Sequence, residues 1–314
     1  MLKTHERWWI YQHERFPIAK YSILIAAYSS SAVGYSALLR QSASVTAIAP
    51  PAIASVVIAY LSTFLFFMQL RIADEFKDAA DDAVHRPYRP VPRGLVSLKE
   101  LGFIGLGGAC IQLGLAIALG WTMVGLLVGV WAYLSVMTQE FFISDWLKAH
   151  PLAYLGSHMV IMPLMTLYAS ACDWVIVGRP PAALGWLLLM SFWGGVAIEL
   201  GRKTRAPDRE EPGVDTYSAL WGIRTAAIAW LTALWLASFA SILAAQAIGS
   251  VIVIAAVTAV SLLTAIAIVW RFLTRPTEKT AKWLEQGAGI WVLLVYPTLG
   301  ILPFIIHNLT TLPL

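Results

Sequence analysis

The chain has 314 residues, of which 59% are hydrophobic and 13% charged, with a formal net charge of +4 and a mean hydropathy of +0.70. Soluble domains carry about 25% charged residues, so this composition excludes an ordinary soluble fold. It makes a lipid bilayer, and no nucleic acid, the expected partner. Cys110 and Cys172 lie in apolar segments without metal-like or redox-like spacing and are expected to be small buried hydrophobes.

In chain order, the first 16 residues, "MLKTHERWWIYQHERF", are too polar and aromatic for a signal peptide. Apolar runs long enough to cross about 30 Å of hydrocarbon follow at 18–39, 48–72, 98–119, 121–142, 151–171, 182–201, 218–243, 247–270 and 286–308. The intervals carry turn chemistry: "LRQSAS", "RPYRPVPRG", "VGRPP", "RAPDREEPG", "QAIGS" and "TRPTEKT". The join at "LGW" is the shortest. The expected fold is therefore all-α: nine transmembrane helices around a central cavity in one domain spanning 1–314.

Charge sets the expected orientation. With the N-terminus cytoplasmic, 20 of the 22 Lys and Arg residues fall on the inner side, and only Arg40 and Arg179 on the outer. Acids follow the same division, with Asp173 alone outside. The expected location is an integral, multi-pass protein of a bacterial inner membrane or its equivalent, with a polar site open to the cytoplasm. A weak internal doubling appears as well. The span ending in "LRIADEFKD" and the one ending in "IELGRKTRAPD" lie 125 residues apart, pairing Asp74 with Glu199 and Asp78 with Lys203. The halves would run about 18–145 and 151–270, with a last helix at 286–308.

Asp74, Asp78 and Asp82, in "DEFKDAADD", are spaced by four and share one face of a helix, bordered by Glu75 and Asp81. Stacked carboxylates repel unless a cation sits among them. Mg²⁺ is the natural cation, because it takes oxygen ligands, keeps several waters and bridges carboxylates to phosphate. The next loop adds Arg86, Arg89 and Arg93, whose planar forks suit phosphate oxygens. A second cluster follows the sixth span, with Glu199, Arg202, Lys203 and Arg205, then Asp208, Glu210, Glu211 and Asp215. There Arg202 and Lys203 would neutralise phosphate directly. Between the clusters lie Glu140, Asp145 and Lys148, with Lys148 a third phosphate contact. His158, inside the fifth span, is expected to make a helix-to-helix hydrogen bond rather than to accept a proton.

Nine spans, an acidic run after the second and an "RPxPxG" loop resemble the UbiA superfamily of intramembrane prenyltransferases. That family's first signature reads N-D-x-x-D-x-x-x-D, followed by R-P-L-P-S-G. Asp74 stands for the Asn, Glu75 for the next Asp, then Asp78 and Asp82, while Arg89, Pro90, Pro92 and Gly94 fall on the loop motif. The second signature, of D-x-x-x-D type, departs: Glu199 stands for its first acid and Lys203 replaces the second. The resemblance implies Mg²⁺-dependent transfer of a polyprenyl group from an allylic prenyl diphosphate to a lipophilic acceptor, expected to be aromatic or a quinone precursor. Together with the residue pattern, it gives Asp78, Asp82 and, in place of the missing acid, Lys203 as catalytic residues. Lys77, Arg86, Arg89, Arg93, Lys148, Arg202 and Arg205 would bind diphosphate, and Asp74, Asp78, Asp82, Glu199 and Asp208 would bind metal. The alternatives are a terpene cyclase on the same scaffold, or a non-catalytic membrane protein that binds an anionic lipid.

Overall fold

The computed structural model describes residues 3–42 and 49–311, so most of the turn after the first span lies outside the described residues. Among those described, every regular element is helical. The chain opens with α1 (Thr4–Arg15), then α2 (Ile18–Ser42), α3 (Ile53–Lys77) and the short α4 (Ala79–His85). After the arginine loop come α5 (Leu98–Leu119), α6 (Trp121–Thr138), α7 (Ser144–Ala149), α8 (Pro151–Met159) and α9 (Ile161–Trp174). The remainder is α10 (Leu184–Arg202), α11 (Tyr217–Gln246), α12 (Val251–Thr274), α13 (Glu278–Gly300) and α14 (Leu302–Thr311).

Among the described residues, eight segments are long and apolar enough to cross a membrane, with α8 and α9 counted as one, and α13 with α14 forms a ninth bent by 46°. Proline and glycine explain the breaks. Pro163 cannot donate to the carbonyl four residues back, and the helix is interrupted at Val160. Pro297 does the same ahead of the bend at Ile301. The join at "LGW" is Gly120 alone, at φ +114°, a conformation that a side chain would strain. Ser97, Thr216 and Thr277 cap α5, α11 and α13 with their hydroxyls.

Each span packs on the next, and α13 returns to α2, closing a ring. At that closure a methyl group on Gly34 would lie 2.0 Å from the Gly300 carbonyl oxygen, and one on Gly300 would lie 2.1 Å from that of Ser31. Only glycine permits backbones to approach this closely. Trp230, Trp291, Tyr35, Tyr168 and Tyr296 are fully buried inside the bundle. At the end of α2 and α9, Arg40 clasps the buried Asp173 with two hydrogen bonds of 2.8 and 2.6 Å, and Ser36 donates a third at 2.7 Å. These are an acid and a base that the sequence assigns to the outer side. Almost all remaining charge collects at the opposite end.

Two expectations change. Cys172 is buried, but Cys110 is exposed on α5, because that helix lies at the rim of the ring and turns much of its surface outward. The fourth span, read to 142, ends as a helix at Thr138 and gives way to a tight turn at Glu140–Phe142.

α1 is not a free tail. Tyr11 is buried with Ile72, Val96 and Leu101, Arg7 pairs with Glu100, Glu14 with Arg93 at 2.9 Å, and Arg15 with Glu75. The helix thereby braces the end of α3 and the arginine loop.

Candidate active site

The acidic run keeps its register past the end of α3. Asp78 caps α3, yet backbone bonds of 2.8–2.9 Å from Asp78 to Asp74, from Asp82 to Asp78 and from Arg86 to Asp82 carry the i, i+4 spacing through α4. The carboxylates then take different partners. Asp74 lies 3.4 Å from Arg71 and is half-exposed. Glu75 is buried against Arg15 of α1, turned away from the shared face. Asp82 is 2% exposed and receives Arg86 at 2.7 Å and Arg89 at 2.6 Å. Asp78 is half-buried, and its carboxylate makes no hydrogen bond or ion pair among the described residues. Burial, with the negative charges of Asp74 and Asp82, pushes its carboxyl above the usual range.

The arginine loop is stiffened by Pro87, Pro90 and Pro92 and closed by backbone bonds from Arg93 to Arg89 and from Leu95 to Pro90. Arg86 and Arg89 face Asp82. Arg93 instead turns outward, to Glu14 and the Tyr88 carbonyl.

The cap of α10 is Lys203, the position that sequence spacing pairs with Asp78. Glu199 is flanked by Arg202 at 2.7 Å and Lys203 at 3.1 Å. The two halves meet on Tyr154 of α8. Lys77 donates to its hydroxyl at 2.8 Å and stands 5.2 Å from its ring centre, and Lys203 stands 5.6 Å from the same ring and 6.0 Å from that of Tyr217. Lys77 also pairs with the buried Glu140 at 2.7 Å. His158 stacks on Tyr154 with ring centres 3.9 Å apart. Its Nδ1 bonds the Tyr154 carbonyl of its own helix at 2.8 Å and its Nε2 has no partner, so the expected helix-to-helix bond is not formed. Glu140, Phe141 and Phe142 have φ of +48°, +55° and +60°. Non-glycine residues in this region cost about 1–3 kcal/mol each, so the surroundings must hold the turn.

The second loop folds over the first. Tyr88 donates to Glu211 at 3.2 Å, and Gly213 packs directly against the His85 ring. Arg205 pairs with Glu211 at 2.9 Å, and Glu210 accepts hydrogen bonds from Thr216 and Ser218, both at 2.6 Å. Asp208 does not join the acids at α3. It is exposed and lies beside Arg209 and the start of α13, in a surface cleft of about 710 Å³ with Thr277, Glu278 and Lys282. Lys148 is exposed and contacts none of these groups, and Asp215 is exposed. Tyr154 and Tyr217 are the residues that sequence reasoning missed. Both sit at span ends, where tyrosine is common as an interface anchor, so position gave no signal for either.

The family model of the UbiA prenyltransferases matches residues 41–294. The chain belongs to the UbiA prenyltransferase family. Over 152 residues this UbiA chain is 27% identical to the digeranylgeranylglyceryl phosphate synthase of Pyrococcus horikoshii, covering 48% of this chain and 50% of that protein. Over 130 residues it is 30% identical to the enzyme of the same name from Methanopyrus kandleri, covering 40% and 43%. The matches thus span about half the length of these curated relatives. The UbiA fold is shared with an apo homologue from Aeropyrum pernix K1, with a TM-score of 0.66 and 17% identity over 91% of this chain and 98% of that one. It is also shared with an Archaeoglobus fulgidus homologue bound to DMAPP and Mg²⁺, with a TM-score of 0.57 and 11% identity over 91% and 98%.

Proposed function

We propose that the chain transfers a prenyl group from an allylic prenyl diphosphate to a lipid-borne acceptor, with Mg²⁺ as cofactor. The observation that carries this reading is the convergence of Lys77 and Lys203, from the ends of two different spans, on Tyr154. Two fixed ammonium groups on one aromatic platform suit a diphosphate. Family membership supports the chemistry, and the DMAPP and Mg²⁺ held by one fold neighbour support the donor and the metal.

The residues fit Mg²⁺ in a particular way. Among the described residues no three acidic, His or Cys side chains are arranged to hold a metal by themselves. Asp82 is committed to two arginines and Glu199 to Arg202 and Lys203. Asp74 and the unpaired Asp78 remain. Mg²⁺ is commonly held by one or two carboxylates, with waters and substrate phosphate completing the shell, so this pair is the expected holder. When bound, the ion neutralises charge that builds on the leaving diphosphate.

Lys77 and Lys203 hold the diphosphate oxygens, with Arg86 and Arg89 at the rim and Asp82 fixing their direction. The allylic C–O bond breaks with its electron pair leaving on the diphosphate. The acceptor supplies the electrons of the new bond and loses a proton. Tyr154 and Tyr217 present aromatic faces beside the charged groups. The names of the two curated relatives favour a glyceryl phosphate lipid as acceptor over the aromatic or quinone-precursor acceptor expected from sequence.

The test is diphosphate release by the purified protein from prenyl diphosphates, with and without Mg²⁺ and with glyceryl phosphate lipid or aromatic acceptors. Release should require Mg²⁺ and a glyceryl phosphate acceptor, and Lys203→Ala should lower diphosphate affinity. Release without any acceptor would point to a cyclase, and absence of release from every donor would end the enzymatic reading.

A further inference from the structure

Lys77 already holds an anion. Its ammonium lies 2.7 Å from Glu140, a residue 7% exposed and carried by the left-handed turn Glu140–Phe142. The turn is pinned by that ion pair and by Phe141, which packs edge-to-face on Tyr133 at 5.6 Å and on His158 at 5.9 Å. Phe142 is 78% exposed and adds little to the pinning. The corresponding carboxylate in the other half behaves differently. Glu199 stands on a regular helix and is shared by Arg202 and Lys203. Lys203 can therefore turn to a phosphate while Arg202 keeps the carboxylate neutralised. Glu140 has no second cation, since Lys77 is its one ion-pair partner among the described residues.

We propose that Glu140 is an internal competitor for Lys77 and sets how tightly the substrate's diphosphate is held. This rests on the reading that Lys77 binds diphosphate. Bringing a diphosphate to Lys77 places like charges beside Glu140 in a partly buried site, where they repel strongly. Glu140 must leave, and its departure frees the turn from a backbone conformation that its residues disfavour. The strain of the turn thus opposes the closed Lys77–Glu140 pair and keeps it displaceable. Affinity is reduced by the fraction of molecules in which Lys77 is occupied, and that fraction is a property of Glu140 and the turn.

The experiment measures equilibrium binding of inorganic pyrophosphate, at fixed Mg²⁺ and ionic strength, to the detergent-purified chain. Glu140→Gln keeps the shape but removes the competing charge, and it should bind on the order of tenfold more tightly. Phe142→Gly relieves the left-handed backbone without touching Lys77; it should favour the closed pair, raise the melting temperature and weaken pyrophosphate binding several-fold. Unchanged or weaker binding by folded Glu140→Gln overturns the proposal. If that variant does not fold, unchanged or tighter binding by Phe142→Gly overturns it. Lys77→Met separates the two levels. Loss of binding there, with no gain in Glu140→Gln, removes only the competitor, whereas wild-type binding in Lys77→Met removes the diphosphate role of Lys77 and this inference with it.

Discussion

Asp78 combines three properties: partial burial, two acidic neighbours at helical spacing, and no cation of its own. Its carboxyl is held above its ordinary value of 3.8, so the folded chain binds this proton more tightly than the unfolded one. Stability from this group is therefore greatest below the ordinary value and falls as pH rises through the raised folded one. Asp78→Asn should melt at a higher temperature than wild type at neutral pH in EDTA, with the gain vanishing in acid, as thermal unfolding in detergent will show. The same variant should lose turnover by about 100-fold or more together with Mn²⁺ binding measured by spin resonance. A more stable but inactive protein separates the functional role from a structural one. The spacing of Asp74, Asp78 and Asp82 made this face legible in the sequence. Their unequal fates were not legible, because Arg86 and Arg89 reach Asp82 alone, through a proline-stiffened loop whose path no periodicity encodes. Tyr154 was hidden for a similar reason, since its position resembles that of an ordinary interface anchor.

At the level of elements, hydropathy located the spans, although the second begins at Ile53 rather than 48 and the last at Glu278 rather than 286, and glycine and proline in the intervals marked most of the joins. Gly120 acts through local backbone chemistry that a sequence displays directly, whereas the break at Val160, ahead of Pro163, falls inside a span that hydropathy reads as one piece. The turn Glu140–Phe142 acts against local preference, because nothing in "EFF" favours positive φ, and the fourth span was accordingly read four residues too long. α1 shows the other limit, as a polar, aromatic segment becomes informative only once Glu75 is seen buried beneath it. Arg15→Ala should leave that carboxylate buried without a counter-charge and cost about 3–5 kcal/mol. Arg15→Met with Glu75→Met should restore most of the loss, since replacing both partners of a buried pair with apolar groups is often neutral or better. Equal losses in the single and double variants, measured by denaturant unfolding, would mean that α1 is held by its other contacts instead.

Over the whole molecule, charge divides the two ends so sharply that the orientation is itself a prediction. The segment carrying Arg179 should face outward, and the arginine loop should share the cytoplasmic side with α1. A membrane-impermeant maleimide applied to intact cells should modify Arg179→Cys and leave Ser97→Cys unmodified until the cells are opened. Cys172→Ser and Cys110→Ser together provide the background. Labelling of Ser97→Cys in intact cells would invert the arrangement.

The contact between Gly34 and Gly300 has a consequence for biosynthesis. α2 emerges from the ribosome long before α13, and at elongation rates of about 5–20 residues per second the interval is on the order of half a minute. During that time the small-residue seam of α2 has no permanent neighbour, and lipids or an insertion factor must cover it. The ring is sealed only when its late-made helix arrives and slides into a gap that admits no methyl group. A bulkier residue at either glycine would thus act as a fault in assembly, lowering the yield of intact protein while leaving the chemistry of molecules that do close unaltered.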